Sequence, residues 1–171
     1  AFGTVRFADG IFSTRQGNVI LLNDLLAESV AKTKVIIQNN NPNLPMEEVD
    51  RIAESVGVGA VRYTFLRNGR ERDIVFSWDD MLDFEGDSAP YLQYTFARCS
   101  SIIRLAEADG IWPFDPSEIN TAHLAGEEEQ AIIKLHDGFE TAVLEALDSH
   151  EPSIMLRNTS QLARAFNRFY N

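Results

Sequence analysis

The chain has 171 residues, 44% of them of hydrophobic type, and carries a formal net charge of −11 at pH 7. That length suits one large or two small domains with a real core, and no apolar run approaches the roughly 20 residues that a bilayer span needs. A single cysteine, Cys99, leaves no internal disulfide and no cysteine metal cluster, and no signal-peptide pattern stands at the start, as in a soluble intracellular chain.

Val5-Arg6-Phe7-Ala8 alternates weakly and stops at the turn dipeptide Asp9-Gly10, which predicts a short strand. Phe12 to Gly17 reads as an exposed polar loop, and Val19-Ile20-Leu21-Leu22 is a short apolar run that suits a strand. Asn23 or Asp24 can cap the helix that follows, with Leu25, Leu26 and Val30 among its apolar positions. The cluster Asn39-Asn40-Asn41-Pro42-Asn43 ends it. Pro45 ahead of Glu47 and Glu48 marks a second helix start, because acidic residues favour the positive end of the helix dipole. Ile52, Val56 and Val61 would form its buried stripe, with Gly57 and Gly59 at a break or a close packing point. Asn68-Gly69 is a turn, and Asp73 to Trp78 reads as a short strand.

Beyond Gly86-Asp87 no strand pattern stands out. Three long helices are predicted there, at about 89–107, 126–148 and 158–170. The middle one carries Ala131, Ile132, Leu135, Phe139, Val143, Ala146 and Leu147, whose offsets of 3 and 4 follow one helical face. Leu162, Phe166 and Phe169 repeat that spacing in the last, and Pro113, Pro116 and Pro152 fall in the connections. The expected fold is mainly α: a small α/β piece over 1–86, then a helical bundle over 87–171.

Charge is divided unevenly between these parts. Residues 1–72 hold nine Lys/Arg and eight Asp/Glu, whereas 73–171 hold six and eighteen. The acidic part opposes a broad electrostatic grip on nucleic acid, so any such contact has to come from small local basic patches.

Within the first bundle helix, Leu92, Phe96, Cys99, Ile103 and Ala106 fall on one apolar face, which should be core. Tyr91, Tyr94 and Arg98 fall together on the opposite face. Two aromatic rings beside a guanidinium suit the stacking of unpaired bases, and the alternative is that the helix is buried on two sides. Arg157, Arg164 and Arg168 in the tail helix make either a phosphate-facing stripe or a solvated face, the latter being the simpler reading. His123, His136 and His150 match no zinc spacing. Glu127-Glu128-Glu129 is an acidic first helical turn, and Cys99 belongs to the core face rather than to a nucleophile site.

The run from Phe84 to Arg98, "F-E-G-D-S-A-P-Y-L-Q-Y-x-x-A-R", is long and compositionally odd. It closely resembles the junction in arginyl-tRNA synthetases where the class I catalytic domain meets the helical anticodon-binding domain. Upstream, Ser13, Thr14, Arg15, Gly17, Asn18 and Val19 are similar to the arginyl form of the mobile Lys-Met-Ser-Lys-Ser loop that lies over the ATP phosphates. Here Phe12 stands for Met, Gln16 for Lys and Ile11 for the leading Lys, so Arg15 is the one cation left in the loop.

The resemblance implies that Ser13, Thr14, Arg15 and Gly17 meet ATP, with Arg15, Ser13 and Thr14 in the catalytic role. It further implies that Tyr94 and Arg98, with Tyr91 beside them, contact tRNA, and that 87–171 is most of a DALR-type anticodon-binding domain. ATP and Mg²⁺ would serve the parent enzyme, arginine and tRNA(Arg) would be its substrates, and its place would be cytoplasmic. No histidine has the Gly-His partner of the family's ATP-binding element. The chain therefore reads as a C-terminal fragment, inactive alone, of an arginine–tRNA ligase. The alternatives are a non-catalytic helical RNA- or protein-binding module of synthetase ancestry, and a structural interaction protein with no RNA role.

Overall fold

A computed structural model describes residues 3–7, 10–11 and 21–171. The expected polar loop over Phe12–Gly17, and with it Ser13, Thr14, Arg15 and Gly17, lies outside the described residues, as do Val19 and Ile20. The chain forms two compact units, Ala1–Tyr91 and Leu92–Asn171.

In the first unit a small sheet holds β1 (Val5–Phe7), β2 (Gly10–Ile11) and β3 (Ile74–Phe76) in the order β2-β1-β3. β2 runs antiparallel to β1, with Arg6 opposite Ile11, and β3 runs parallel to β1, with Val5 opposite Ile74. A parallel neighbour needs a long crossover, and the chain supplies it as two helices, α1 (Leu22–Asn40) and α2 (Met46–Leu66). Ahead of each paired strand, Thr4 donates both its backbone N–H (2.8 Å) and its hydroxyl (2.7 Å) to the Asp73 carboxylate.

α1 starts at Leu22, so Leu22 is helical rather than part of a strand, and its N-cap is Leu21 with no side-chain cap bond. α2 starts directly after Pro45, as its first-turn glutamates suggest. Its buried positions are Val49, Ala53, Gly57, Ala60, Val61, Tyr63 and Thr64. Of the expected stripe Val61 is buried, whereas Ile52 and Val56 are only half-buried. Small residues, Ala53, Gly57 and Ala60, fill the inward line between Val49 and Val61, because α1 comes very close. A Cβ on Gly57 would stand 2.9 Å from the Val30 backbone, so Gly57 is a packing point inside an unbroken helix. Ser29 is fully buried there and donates to the Gly57 carbonyl at 2.8 Å, while Thr33 donates to the Ser29 carbonyl at 2.8 Å. Ile37, Val49 and Ala53 form the apolar centre, flanked by Val30, Leu44 and Ile52.

The expected strand over Asp73–Trp78 is shorter than read. Ser77 leaves the strand and accepts from the Asp80 N–H as the N-cap of α3 (Trp78–Met81). Phe76, 1% exposed, meets Trp78 edge-to-face at 5.0 Å.

The residues of the long sequence run then fasten the chain. Asp87 accepts from the hydroxyl of Tyr63 on α2 at 2.7 Å and pairs at 3.8 Å with Arg67, the C-cap of that helix. Ser88 donates to the Asp83 carbonyl and accepts from the Tyr91 N–H at 3.2 Å, which caps α4 (Ala89–Ala108). Capping side chains of this kind contribute about 1 kcal/mol.

Among the described residues, the second unit holds helices joined by loops and no strand. After α4 come two single-turn 3-10 helices, Pro116–Glu118 and Thr121–Leu124, then α5 (Glu127–Asp137), α6 (Phe139–Ser149) and α7 (Pro152–Tyr170). The single helix expected over 126–148 is two, divided at Gly138, whose N–H still bonds the Lys134 carbonyl at 3.0 Å. The tail helix is longer than expected because Pro152 opens it, where a missing N–H costs nothing. α7 packs on α5 and α6, with Ser153, Ser160, Ala163 and Ala165 buried.

Candidate nucleic-acid interface

α4 turns a different face inward than its apolar pattern suggests. Phe96 is 73% exposed and Ile103 41% exposed, whereas Thr95 is buried. The expected core face is thus open on the side of Phe96 and Ile103, and Leu92, Cys99 and Ala106 are only half-buried. A helical wheel groups residues by direction but carries no information about which neighbour fills that direction. Here the neighbouring side chains come from α7 and meet the polar face.

Arg98 is the centre of that meeting. Its Nη1 donates to Asn167 Oδ1 at 2.9 Å and its Nη2 donates to the Tyr94 hydroxyl at 2.8 Å. Its Cζ lies 4.8 Å from the Tyr94 ring centroid and 4.5 Å from that of Tyr170, inside the range where a guanidinium is held by an aromatic quadrupole. Asn167 is held in turn, its Nδ2 donating to Thr95 Oγ1 at 2.8 Å. Tyr170 also stacks on Phe166 at 5.9 Å, one turn back along α7. Spacing explains the group: Tyr94 and Arg98 are i, i+4 on α4, and Asn167 and Tyr170 are i, i+3 on α7.

The result is a polar-aromatic cluster with a wet outer surface. Tyr94 is 51% and Tyr170 50% exposed, and Arg98 is half-buried. Such rings offer a face to an unpaired base and a hydroxyl to its edge. Tyr91 lies in the first unit, half-buried, with its N–H spent on Ser88. Asn167 and Tyr170 did not stand out in the sequence. The signal was an Asn between aromatic residues on an amphipathic helix end, but which face meets α4 is not a local property. Phe169, expected in the core stripe, is 48% exposed.

The electrostatic setting is local. The second unit has six Lys/Arg against twelve Asp/Glu. α7 holds three of those six, Arg157, Arg164 and Arg168, and no acidic residue, and all three are exposed. Positive charge is therefore gathered on the helix that supplies Tyr170 and Asn167.

The remaining polar groups have structural explanations. Burial pushes the Cys99 thiol above its ordinary value, which leaves little thiolate for chemistry. The Ser117 backbone N–H and then its hydroxyl hold the Asp115 carboxyl below its ordinary value, a capping effect at a 3-10 turn. Among the described residues no group of three or more His, Cys, Asp or Glu is gathered to hold a metal, and no helix is long and apolar enough to cross a membrane.

Comparison with known proteins divides the chain near the same places. Residues 1–78 match the family of class I tRNA synthetases (R), catalytic domain, and residues 92–171 match the DALR anticodon binding domain family. An arginine–tRNA ligase of Clostridium acetobutylicum is 48% identical over 99% of this chain, and that of Clostridium perfringens 45% identical over 99%. The chain spans 29% of the length of either. Among solved structures, Thermus thermophilus arginyl-tRNA synthetase superposes with a TM-score of 0.83 at 29% identity, over all of this chain and 27% of that one. The Plasmodium falciparum enzyme shares the fold, with a TM-score of 0.74 at 22% identity, over 99% of this chain and 28% of that one.

Proposed function

Because the chain belongs to the arginyl-tRNA synthetases of class I, we propose that it works as part of an arginine–tRNA ligase. In this reading the whole enzyme activates arginine with ATP and transfers it to tRNA(Arg) in the cytoplasm. One observation carries the reading: class I arginyl catalytic sequence and a DALR anticodon domain follow each other in one chain, over 99% of which ligases are 45–48% identical.

The two units divide the work. Ser13, Thr14, Arg15 and Gly17 form the loop over the ATP phosphates, and Arg15 places positive charge where it builds up on the departing pyrophosphate. ATP would carry Mg²⁺ on its phosphates. In the second unit, Tyr94 and Tyr170 present half-open rings to unpaired bases, with Arg98 beside them. The arginines of α7 supply the local positive charge that the acidic unit otherwise lacks. Tyr91 takes a lesser part, since it is half-buried beside the cap of α4.

The test is aminoacylation by the full-length protein, with tRNA(Arg) and each amino acid in turn. Arginine alone should be charged, and ATP should be required. The 171-residue chain should give no product above a heat-killed control, because none of its histidines sits in a Gly-His element. Charging of another amino acid would overturn the arginine assignment, and no charging by the full-length protein would return the chain to the reading as a non-catalytic RNA- or protein-binding module.

A further inference from the structure

Two of the five N–H donors of Arg98 are committed inside the protein. One nitrogen serves Asn167 at 2.9 Å and another serves Tyr94 at 2.8 Å, while the plane of charge lies within 4.8 Å of both ring centroids. Its main partner is itself anchored, since Asn167 is bonded to the buried Thr95 hydroxyl. These contacts fix the guanidinium from both helices at once. They also join two tyrosines that lie 76 positions apart in the sequence and belong to different helices.

We propose that Arg98 is a positioning residue for RNA: it holds the rings of Tyr94 and Tyr170 as a fixed pair for unpaired bases, and it does not neutralise a phosphate. This rests on the reading that the second unit contacts tRNA. Each tyrosine keeps about half of its surface open (51% and 50%), so the rings are accessible while the guanidinium between the helices is half-buried and held by both of them. Holding the rings in place before RNA arrives removes the cost of ordering them on binding. Lysine cannot do the same. Its ammonium is a point charge without the planar fork needed to reach Asn167 and the Tyr94 hydroxyl while lying against two rings.

The experiment measures the affinity of the full-length protein for a tRNA(Arg) transcript across a series of salt concentrations. Arg98→Ala should weaken binding about tenfold, within the range for losing a stacked base, and leave the slope of log affinity against log salt unchanged. Arg98→Lys should bind as poorly as Arg98→Ala. Added to the Tyr94→Ala/Tyr170→Ala double variant, Arg98→Ala should cost less than about a further twofold, because a residue that acts through two rings has no effect once both are gone.

A salt slope reduced by about one unit would assign Arg98 to a phosphate and overturn the proposal. So would recovery in Arg98→Lys, or a full tenfold loss on top of the double variant. Tyrosine variants that weaken binding beside an Arg98→Ala that does not would overturn the positioning role alone. Tyrosine variants that bind as the wild type does would overturn the underlying reading of the site. Melting followed by circular dichroism checks each fold. If Arg98→Ala fails that check, Asn167→Ala removes one anchor of the guanidinium and should give a loss of about threefold or more at unchanged slope; wild-type affinity in that variant would again count against the proposal.

Discussion

Arg98 and Arg15 are both cations in the same reading, yet they differ in what their charge is free to do. Two donors of Arg98, one on each Nη, are met by Asn167 and Tyr94, and its guanidinium lies against two rings. Arg15 is the single cation of Phe12–Asn18, the run proposed above to act on the ATP phosphates. Arg15→Ala in the full-length enzyme should therefore lower kcat for arginine activation by about 10- to 100-fold, or about 1.4–2.7 kcal/mol, with a smaller change in arginine KM. An unchanged kcat would make Arg15 an ordinary turn residue. Gly110 gives a residue-scale test of backbone cost alone. It has φ of +70°, and a Cβ built there meets nothing within 4 Å. Gly110→Ala should destabilise by about 1–2 kcal/mol through the left-handed conformation. A chemical-denaturation midpoint equal to the wild type would show that this turn relaxes into another conformation.

Between elements, two contacts decide the first unit, and each has its own readout. The approach of α1 to α2 at Gly57 leaves no room for a methyl group, since the nearest atoms are Val30 backbone at 2.9 Å. Gly57→Ala gains about 1 kcal/mol of helix propensity but forces two helices apart, a cost of about 1–3 kcal/mol. The net should be destabilisation, measured as a lower urea midpoint, and a more stable variant would contradict the packing described. The second contact is Asp73 with Thr4 ahead of the parallel strands. The Thr4 backbone N–H, then its hydroxyl, then the charge of Arg6 hold the Asp73 carboxyl below its ordinary value. A carboxyl lowered in the native state contributes stability above the ordinary carboxylate value and loses it as pH falls through the lowered one. The stability gap between wild type and Asp73→Asn should thus shrink on acidification below about pH 4; a gap constant from neutral pH to that range would assign the contact no electrostatic part.

These elements also show what was legible beforehand. Local signals placed the start of α2 through Pro45 and the glutamates, and the helix expected at about 89–107 is found at Ala89–Ala108. They failed where a neighbour decides. Val61 of the expected α2 stripe is buried, but Ile52 and Val56 give way to Ala53, Gly57 and Ala60 because α1 sits so close, and the 126–148 helix broke at Gly138, which a periodic pattern passes over. The inward face of α4 carries Thr95, while Phe96 faces out.

For the whole molecule, the resemblance was legible because Phe84–Arg98 does two jobs in one run: Asp87 and Ser88 fasten α2 and cap α4, and Tyr94 and Arg98 build the exposed cluster. Half of that cluster was not legible, since Asn167 and Tyr170 join it only through the meeting of α4 with α7. The charge pattern has the same lesson. A net charge of −11 argues against a nucleic-acid partner, but α7 carries three exposed arginines and no acid, so the average hides a basic helix beside the open rings. The central claim is that this cluster reads unpaired bases of the anticodon for an arginine–tRNA ligase. The direct measurement is the affinity of the full-length protein for tRNA(Arg) and for the same tRNA with its anticodon bases replaced, in the wild type and in Tyr94→Ala/Tyr170→Ala. The wild type should bind the altered tRNA at least about tenfold more weakly, within the scale of one lost stacked base, and the double variant should bind both alike. An equal preference for the natural anticodon in wild type and double variant would contradict the account and move recognition elsewhere in the enzyme.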